Sequence, residues 1–155
     1  MERIPFTPQG FDALKQELER FKREERPANI RAIEEARAHG DLSENAEYHA
    51  AKERQGFIEG RISELEFKLA SAEVIDPSEV TKDRAVFGCV VILENVETGE
   101  SVKYQLVGPE ESDIDKGKIS VTSPLGKAIL GRVPDEELVL QVPGGRRHYE
   151  LVDIL

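Results

Sequence analysis

"GDLSENAEYHAAKE", residues 40–53, separates two long stretches that both have a helical pattern. It begins with Gly40, a residue type that commonly ends a helix. Three acidic residues, Asp41, Glu44 and Glu47, then follow at close spacing. A connection this short returns the chain antiparallel to its first direction. The segment therefore predicts a helical hairpin with an acidic bend.

The stretch before the bend begins in "TPQGFDALKQEL", where Thr7 is the predicted N-cap and Pro8 the first helical residue. Apolar residues then recur at spacings of three and four, which predicts one narrow seam. Its first residues are Phe11, Leu14, Leu18 and Phe21. Pro27 interrupts the pattern, and we expect a kink or a local break there. The seam residues predicted beyond it are Ile30, Ile33 and Ala36.

The stretch after the bend keeps the same spacing throughout. Its predicted seam residues are Tyr48, Ala51, Gln55, Ile58, Ile62, Leu65, Leu69 and Ala72. A stripe this narrow buries against one partner helix and leaves the other faces in solvent. Residues 8–75 are therefore predicted to form a two-helix coiled coil, in which each arm of roughly 30 residues extends about 45 Å.

After residue 76 the composition changes to β-branched runs separated by Gly, Pro and Asp. The predicted strands are "AVFGCVVILEN", "SVKYQLVG", "KISVTS", "ELVLQV" and "RHYELVDIL". Between the third and the fourth, "SPLGKAILG" predicts one short helix with Ser123 as its cap. The predicted fold class is α+β, with an antiparallel two-helix coiled coil in residues 1–75 and a small antiparallel sheet with one helix in residues 76–155.

Composition excludes several classes of protein. The formal net charge of −10 disfavours wholesale coating of DNA, so any contact with nucleic acid is expected to be local. Cys89 is the only cysteine and lies in an apolar run, which predicts a buried side chain and excludes an internal disulfide. The first ten residues lack the apolar core of a secretory signal, and no stretch approaches the roughly 20 apolar residues of a membrane helix. We therefore expect a monomeric cytoplasmic protein.

The acids of the bend have two compatible interpretations. Asp41 fits an N-cap, and Glu44 three residues later completes a capping box. Alternatively, two carboxylates three residues apart on a helical turn have Cβ atoms roughly 5–6 Å apart and both reach one divalent cation. Mg²⁺ requires near-octahedral oxygen coordination and gives up water reluctantly. Two exposed carboxylates therefore make a sufficient site only if another macromolecule supplies the remaining ligands.

Several segments together resemble the bacterial Gre transcript-cleavage factors, over essentially the whole chain. They are "IPFTPQG", "GDLSENAEYHAAKERQGFIEGRISELE", "VFGCVVIL", "SPLGKAILG" and "VPGGRRHYELVDI". The resemblance implies that the coiled coil enters the secondary channel of RNA polymerase, while an FKBP-like C-terminal domain docks at the channel mouth. Residues 1–75 hold 12 basic and 16 acidic side chains. That balance favours the GreA branch, since the GreB branch is associated with a larger basic patch.

The same resemblance implies a role for the acidic tip. Asp41 and Glu44 would help to hold the second catalytic Mg²⁺ of the polymerase and orient the attacking water near the 3′ end of backtracked RNA. The polymerase's own aspartates would hold the first ion. The factor alone would bind no cofactor and have no nuclease activity.

Four further residues are candidate contacts to RNA or polymerase: Arg37, Lys52, Asn45 and Tyr48. The two cations could meet RNA phosphates or simply solvate the coil surface. Asn45 could support the geometry of the tip or touch RNA. Tyr48 has the same two alternatives, and it also lies on the seam, where core packing would explain it.

Three other functions compete with transcript cleavage. Prolyl isomerisation would need an aromatic-lined pocket, yet Phe87, Tyr104 and Tyr149 are the only aromatic residues after residue 76. A coiled-coil adaptor would use the tip acids only as helix caps. Some relatives with an altered tip inhibit polymerase, and the intact "GDLSEN" argues against that variant.

Overall fold

The computed structural model describes residues 3–41, 45–76 and 83–155. The chain divides into two compact units. Residues 11–72 form the first, which we call the helical arm, and residues 3–10 and 73–155 form the second, which we call the sheet unit. The short segment that precedes the arm in sequence thus belongs to the sheet unit.

The helical hairpin predicted around the bend is confirmed. Its segments are α1 (Pro8–Arg20), a π-helical turn (Phe21–Glu25), α2 (Arg26–Arg37) and α3 (Ala46–Ala70). The predicted cap is present as well, because the Gly10 N–H donates to Thr7 Oγ1 at 3.1 Å. The predicted seam residues from Tyr48 to Leu69 are all buried or half-buried in α3. The predicted helix is too long, because α3 ends at Ala70 and Ala72 begins a strand. A cluster of Phe21, Ile58, Ile62 and Leu65 forms the buried centre of the arm.

The interruption predicted at Pro27 takes the form of a π-helical turn directly before it. The helix continues from Pro8 to Arg37, and the Arg26 N–H bonds to the Phe21 carbonyl, five residues back. A proline within a helix has no N–H to donate, and its ring crowds the carbonyl four residues earlier. The wider π turn directly before Pro27 accommodates both constraints and takes up one extra residue.

The extra residue changes which side chains of α2 face α3. An uninterrupted heptad counted from Phe21 would place Ala28, Ala32 and Glu35 in the seam. In the structure the inward positions are instead those one residue later: Asn29, Ile33 and Ala36. Ile30 is 46% exposed, so its predicted place in the seam is wrong.

Ion pairs lie within the π turn and between the turn region and α3. Arg20 and Glu25 are joined at 2.7 Å, although residues five apart on an α-helix point about 140° away from each other. Glu25 also accepts from Arg54 of α3 at 3.1 Å, and this hydrogen bond lowers the pKa of the Glu25 carboxyl. Just beyond the turn, Arg26 binds Glu59 with two hydrogen bonds of 2.8 and 2.7 Å. The pairs therefore connect the π turn directly to α3.

The second half of the chain contains every predicted strand and the predicted helix. Two short strands lie on either side of the helical hairpin in sequence: β1 (Ile4–Phe6) and β2 (Ala72–Val74). The elements of the second half are β3 (Val90–Asn95), β4 (Ser101–Val107), β5 (Lys118–Ser120), α4 (Pro124–Ile129), β6 (Glu137–Val142) and β7 (Gly145–Ile154). β1 pairs with β2, and the other strands form one sheet in the order β5-β4-β3-β7-β6. The β4–β5 pair is parallel, so the sheet is mixed and not wholly antiparallel as predicted. The predicted α+β fold is confirmed.

One apolar core lies beneath the five-stranded sheet. Its most buried members include Val91, Leu93, Leu106, Ile129 and Leu151. Cys89 belongs to this core as predicted, and burial raises the pKa of its thiol. The cap of α4 is also as predicted, since Ser123 Oγ accepts from the Gly126 N–H at 3.0 Å. Within the described ranges, none of the helices has the length and apolar character required to cross a membrane.

Changing the length of the π turn tests whether it absorbs one surplus residue. Deleting the exposed Glu24 should convert the turn to ordinary α-helix and leave Phe21 and Asn29 seven residues apart, as a heptad seam requires. We expect a melting temperature equal to or above that of the parent in thermal unfolding followed by circular dichroism. Inserting one alanine after Glu24 should instead destabilise the arm by about 1–3 kcal/mol. Equal losses from both changes would contradict this interpretation.

Candidate functional site

The first side of the bend is the end of α2. The His39 N–H donates to the Ala36 carbonyl at 3.2 Å, and the Gly40 N–H donates to the Arg37 carbonyl at 3.4 Å. Gly40 has a φ of 107°, a conformation that side chains other than glycine rarely adopt. α2 therefore ends at Arg37, and the turn that follows it ends at Gly40, close to the helix end that the sequence predicted.

The second side of the bend is capped by a residue different from the predicted one. Asn45 Oδ1 accepts a hydrogen bond from the Tyr48 N–H at 3.0 Å, and α3 begins at Ala46. The interpretation of Asp41 as the N-cap in a capping box with Glu44 is therefore wrong. An N-cap side chain reaches the amides two and three residues later, and in α3 it is Asn45 that does so, at the Tyr48 amide.

Asn45 also connects the two helices. Its Nδ2 donates to the Ala36 carbonyl at 2.5 Å, while its Oδ1 caps α3. Asn45 is half-buried and Ala36 is buried in the seam. One amide thus joins the end of α2 to the start of α3.

The described acids of the bend lie at the surface. Asp41 follows Gly40 directly and is exposed. Glu47 is in the first turn of α3, where a negative charge complements the helix dipole, and its Oε2 lies 3.5 Å from His39 Nδ1. Residues 42–44 fall outside the described ranges, so the predicted tip acid Glu44 lies among them. In the part of the chain that the structure describes, no three His, Cys, Asp or Glu side chains gather into a metal-binding group.

The predicted basic contacts flank the bend on different helices. Arg37 is the last residue of α2, and Lys52 lies in the second turn of α3. Both are exposed, and Lys52 Nζ donates to Gln55 Oε1 at 3.0 Å. Tyr48 is half-buried on the seam, with its ring edge-on to His49 at 5.7 Å. The hairpin therefore brings the predicted contact residues to one end of the arm.

Sequence reasoning missed the double role of Asn45. The spacing of Asp41 and Glu44 satisfied a capping box, which made an earlier helix start plausible. The available signal was that asparagine is itself a preferred N-cap and stands immediately before "AEYHAAKE". The bond to Ala36 leaves no signal in the sequence, because it depends on how the two helices pack.

The sheet unit has an apolar cleft of about 440 Å³. Its apolar lining residues are Ile114, Ile119, Pro124, Leu125, Leu140, Val142 and Pro143. Ile114 belongs to a short 3₁₀ turn (Ile114–Lys116) and is 60% exposed, which is unusual for so large an apolar side chain. Hydroxyl groups of Ser112, Ser120 and Ser123 add polar atoms to the lining.

Comparisons with known proteins cover nearly the whole chain. The family model "Transcription elongation factor, N-terminal" matches residues 4–74, and "Transcription elongation factor, GreA/GreB, C-term" matches residues 80–155. The transcription elongation factor GreA of Thermodesulfovibrio yellowstonii is 53% identical over 153 residues, covering 99% of this chain and 97% of that protein. GreA of Syntrophobacter fumaroxidans is 54% identical over 154 residues, covering 99% of each chain. Among solved structures, the GreA factor homolog 1 (Gfh1) protein of Thermus thermophilus is 33% identical over 99% of both chains, with a TM-score of 0.46.

Substitutions at Asn45 and Asp41 test which residue caps α3. Asn45→Ala removes the cap and the bond to Ala36, so we expect the arm to lose about 1–2 kcal/mol of unfolding free energy. Asp41→Ala removes the side-chain acceptor of Asp41 and should change the stability much less. Chemical denaturation followed by circular dichroism compares the two variants. A loss on Asp41→Ala as large as that on Asn45→Ala would restore Asp41 as the cap.

Proposed function

Because this chain belongs to the GreA/GreB family of transcription elongation factors, we propose that its acidic bend acts inside RNA polymerase. The chain stimulates transcript cleavage by RNA polymerase, and the polymerase rather than this factor cuts the RNA. The arm passes through the secondary channel, and the bend reaches the catalytic centre of a polymerase that has slid backward. Cleavage there creates a new 3′ end, from which elongation restarts.

The exposure of Asp41 at the bend is the observation that carries this proposal. Asn45, and not Asp41, is the N-cap of α3. The Asp41 carboxylate is thus at the surface where a partner can reach it, and the neighbouring Glu44 supplies a second carboxylate.

The donors at the bend fit Mg²⁺ only as part of a larger site. Carboxylate oxygens are the ligands that Mg²⁺ prefers, but the ion requires about six oxygen ligands in octahedral geometry. Asp41 and Glu44 supply too few, so the polymerase and water must provide the rest. When bound, Mg²⁺ activates the attacking water and stabilises the leaving oxygen of the phosphodiester. Asp41 and Glu44 raise the occupancy of the weaker site and orient that water.

The exposed cations beside the bend complement the charge of the transcript. Arg37 and Lys52 flank the acids on the two helices and meet the phosphates of the displaced RNA. Their charge offsets the repulsion between the acidic bend and those phosphates. Tyr48 supports the bend from the seam, and its half-exposed ring is available to the RNA.

The sheet unit docks the factor on the polymerase surface. Its cleft combines apolar walls with the exposed Ile114, and burying such a side chain against a protein partner is favourable. The partner is RNA polymerase, as membership of the family implies. Docking through the sheet unit leaves the bend free to reach the catalytic centre.

Conservative substitution of the tip acids separates catalysis from binding. Asp41→Asn and Glu44→Gln remove the charge without changing side-chain size, so stimulated cleavage in a defined backtracked complex should fall at least about 10- to 100-fold. Affinity for the polymerase should stay within about twofold, because the docking surface lies in the sheet unit. Glu53→Gln, at another exposed acid of α3, serves as the control and should cleave like the parent. Parental cleavage by both tip variants would favour a non-catalytic adaptor.

A charge placed in the cleft tests the docking surface. Ile114→Glu should weaken binding to polymerase about tenfold or more, because it replaces a buried apolar contact with a carboxylate. Val139→Glu, at an equally exposed apolar residue of β6 outside the cleft lining, is the matched control and should bind like the parent. Fluorescence anisotropy with labelled factor measures both affinities. Equal affinities for the two variants would place the docking surface elsewhere.

A further inference from the structure

The Asn45 side chain accepts one hydrogen bond and donates another, and only the accepted bond belongs to the helix cap. The cap needs a side-chain acceptor for the Tyr48 N–H, which Oδ1 provides at 3.0 Å. Serine and aspartate would cap about equally well. The second bond, from Nδ2 to the Ala36 carbonyl at 2.5 Å, needs a side-chain donor. An ionised aspartate has no donor, and the serine side chain is too short to place its hydroxyl within reach of that carbonyl.

The acceptor of this second bond is firmly held. Ala36 is only 3% exposed and packs in the seam, where the extra residue of the π turn has placed it. Its carbonyl also accepts from the His39 N–H at 3.2 Å. The start of α3 and the turn after α2 therefore both bond to the carbonyl of Ala36.

We propose that Asn45 is a positioning residue for transcript cleavage, which acts by tying the start of α3 to the turn after α2 that leads to Asp41. This inference rests on the proposed function of Asp41. A turn that is bonded to a second helix samples fewer conformations than one held by a single helix end. Catalysis that depends on correctly oriented groups loses about 10²-fold for a misplacement of about 1 Å. Asn45 itself touches neither RNA nor metal in this role.

Two substitutions separate the bridge from the cap. Asn45→Ser and Asn45→Asp both keep an acceptor for the Tyr48 N–H, so the thermal stability of the arm should stay close to that of the parent. Both remove the donor to Ala36. In the free full-length factor, hydrogen exchange should become faster at the His39 and Gly40 amides, because the turn opens more often. In a backtracked complex, stimulated cleavage should fall about tenfold or more, while affinity for polymerase stays unchanged.

The exchange measurement distinguishes positioning from direct contact. If cleavage falls in both variants while exchange at the two amides stays at the parental rate, Asn45 acts by touching RNA or polymerase, and the proposal is overturned. Parental cleavage in either variant overturns it as well. Asp41→Asn is the reference, since it should lose cleavage without changing exchange at these amides. If Asp41→Asn cleaves like the parent, the proposed function has failed, and the exchange result for Asn45 still stands by itself.

Discussion

The burial of one narrow apolar seam between two antiparallel helices determines where the residues of the arm lie. Phe21, Ile58, Ile62 and Leu65 form its centre, and each such side chain contributes about 1.5–3 kcal/mol when fully buried. The ion pairs beside the seam are exposed, and pairs of that kind contribute little to stability. The seam therefore stabilises the arm, while the ion pairs help to fix its register.

The same seam explains how the bend acquires its geometry. The helix before the bend has one residue too many for a continuous heptad, and the π turn absorbs it. Ala36 consequently arrives in the seam beside the start of α3, where its carbonyl meets Asn45. Asn45 rather than an acid caps the second helix, and Asp41 is exposed at the bend. A packing constraint in the middle of the arm is thus connected to the chemistry at its end.

Much of the fold could be predicted because its signals are local. The α3 seam follows directly from the spacing of apolar residues, and Thr7 and Ser123 are caps recognisable from their immediate neighbours. The strands of the second half were found from β-branched runs bounded by turn residues. The parallel pairing of β4 with β5 was missed, because a short strand carries no mark of its direction.

The features that could not be predicted depend on contacts between segments. Ile30 fits the helical spacing, yet the π turn rotates it into solvent, and only the partner helix decides this. The cap of α3 was ambiguous because Asp41 and Asn45 are both good N-cap residues. For the candidate site, the position of the bend was predicted correctly, while the roles of its acids and cations are still predictions. The hydrogen bond that connects Asn45 to Ala36 required the packed structure.

The central claim is that carboxylates at the end of the arm complete a magnesium site that belongs to RNA polymerase. It is tested most directly by the Mg²⁺ concentration that gives half-maximal cleavage in a backtracked complex, measured with and without this factor. We expect the factor to lower that concentration, and Asp41→Asn to return it to the value for polymerase alone. If the factor raises the maximal rate but leaves the half-maximal Mg²⁺ concentration unchanged, the shared site is contradicted, since the acids would then act on a step other than metal binding.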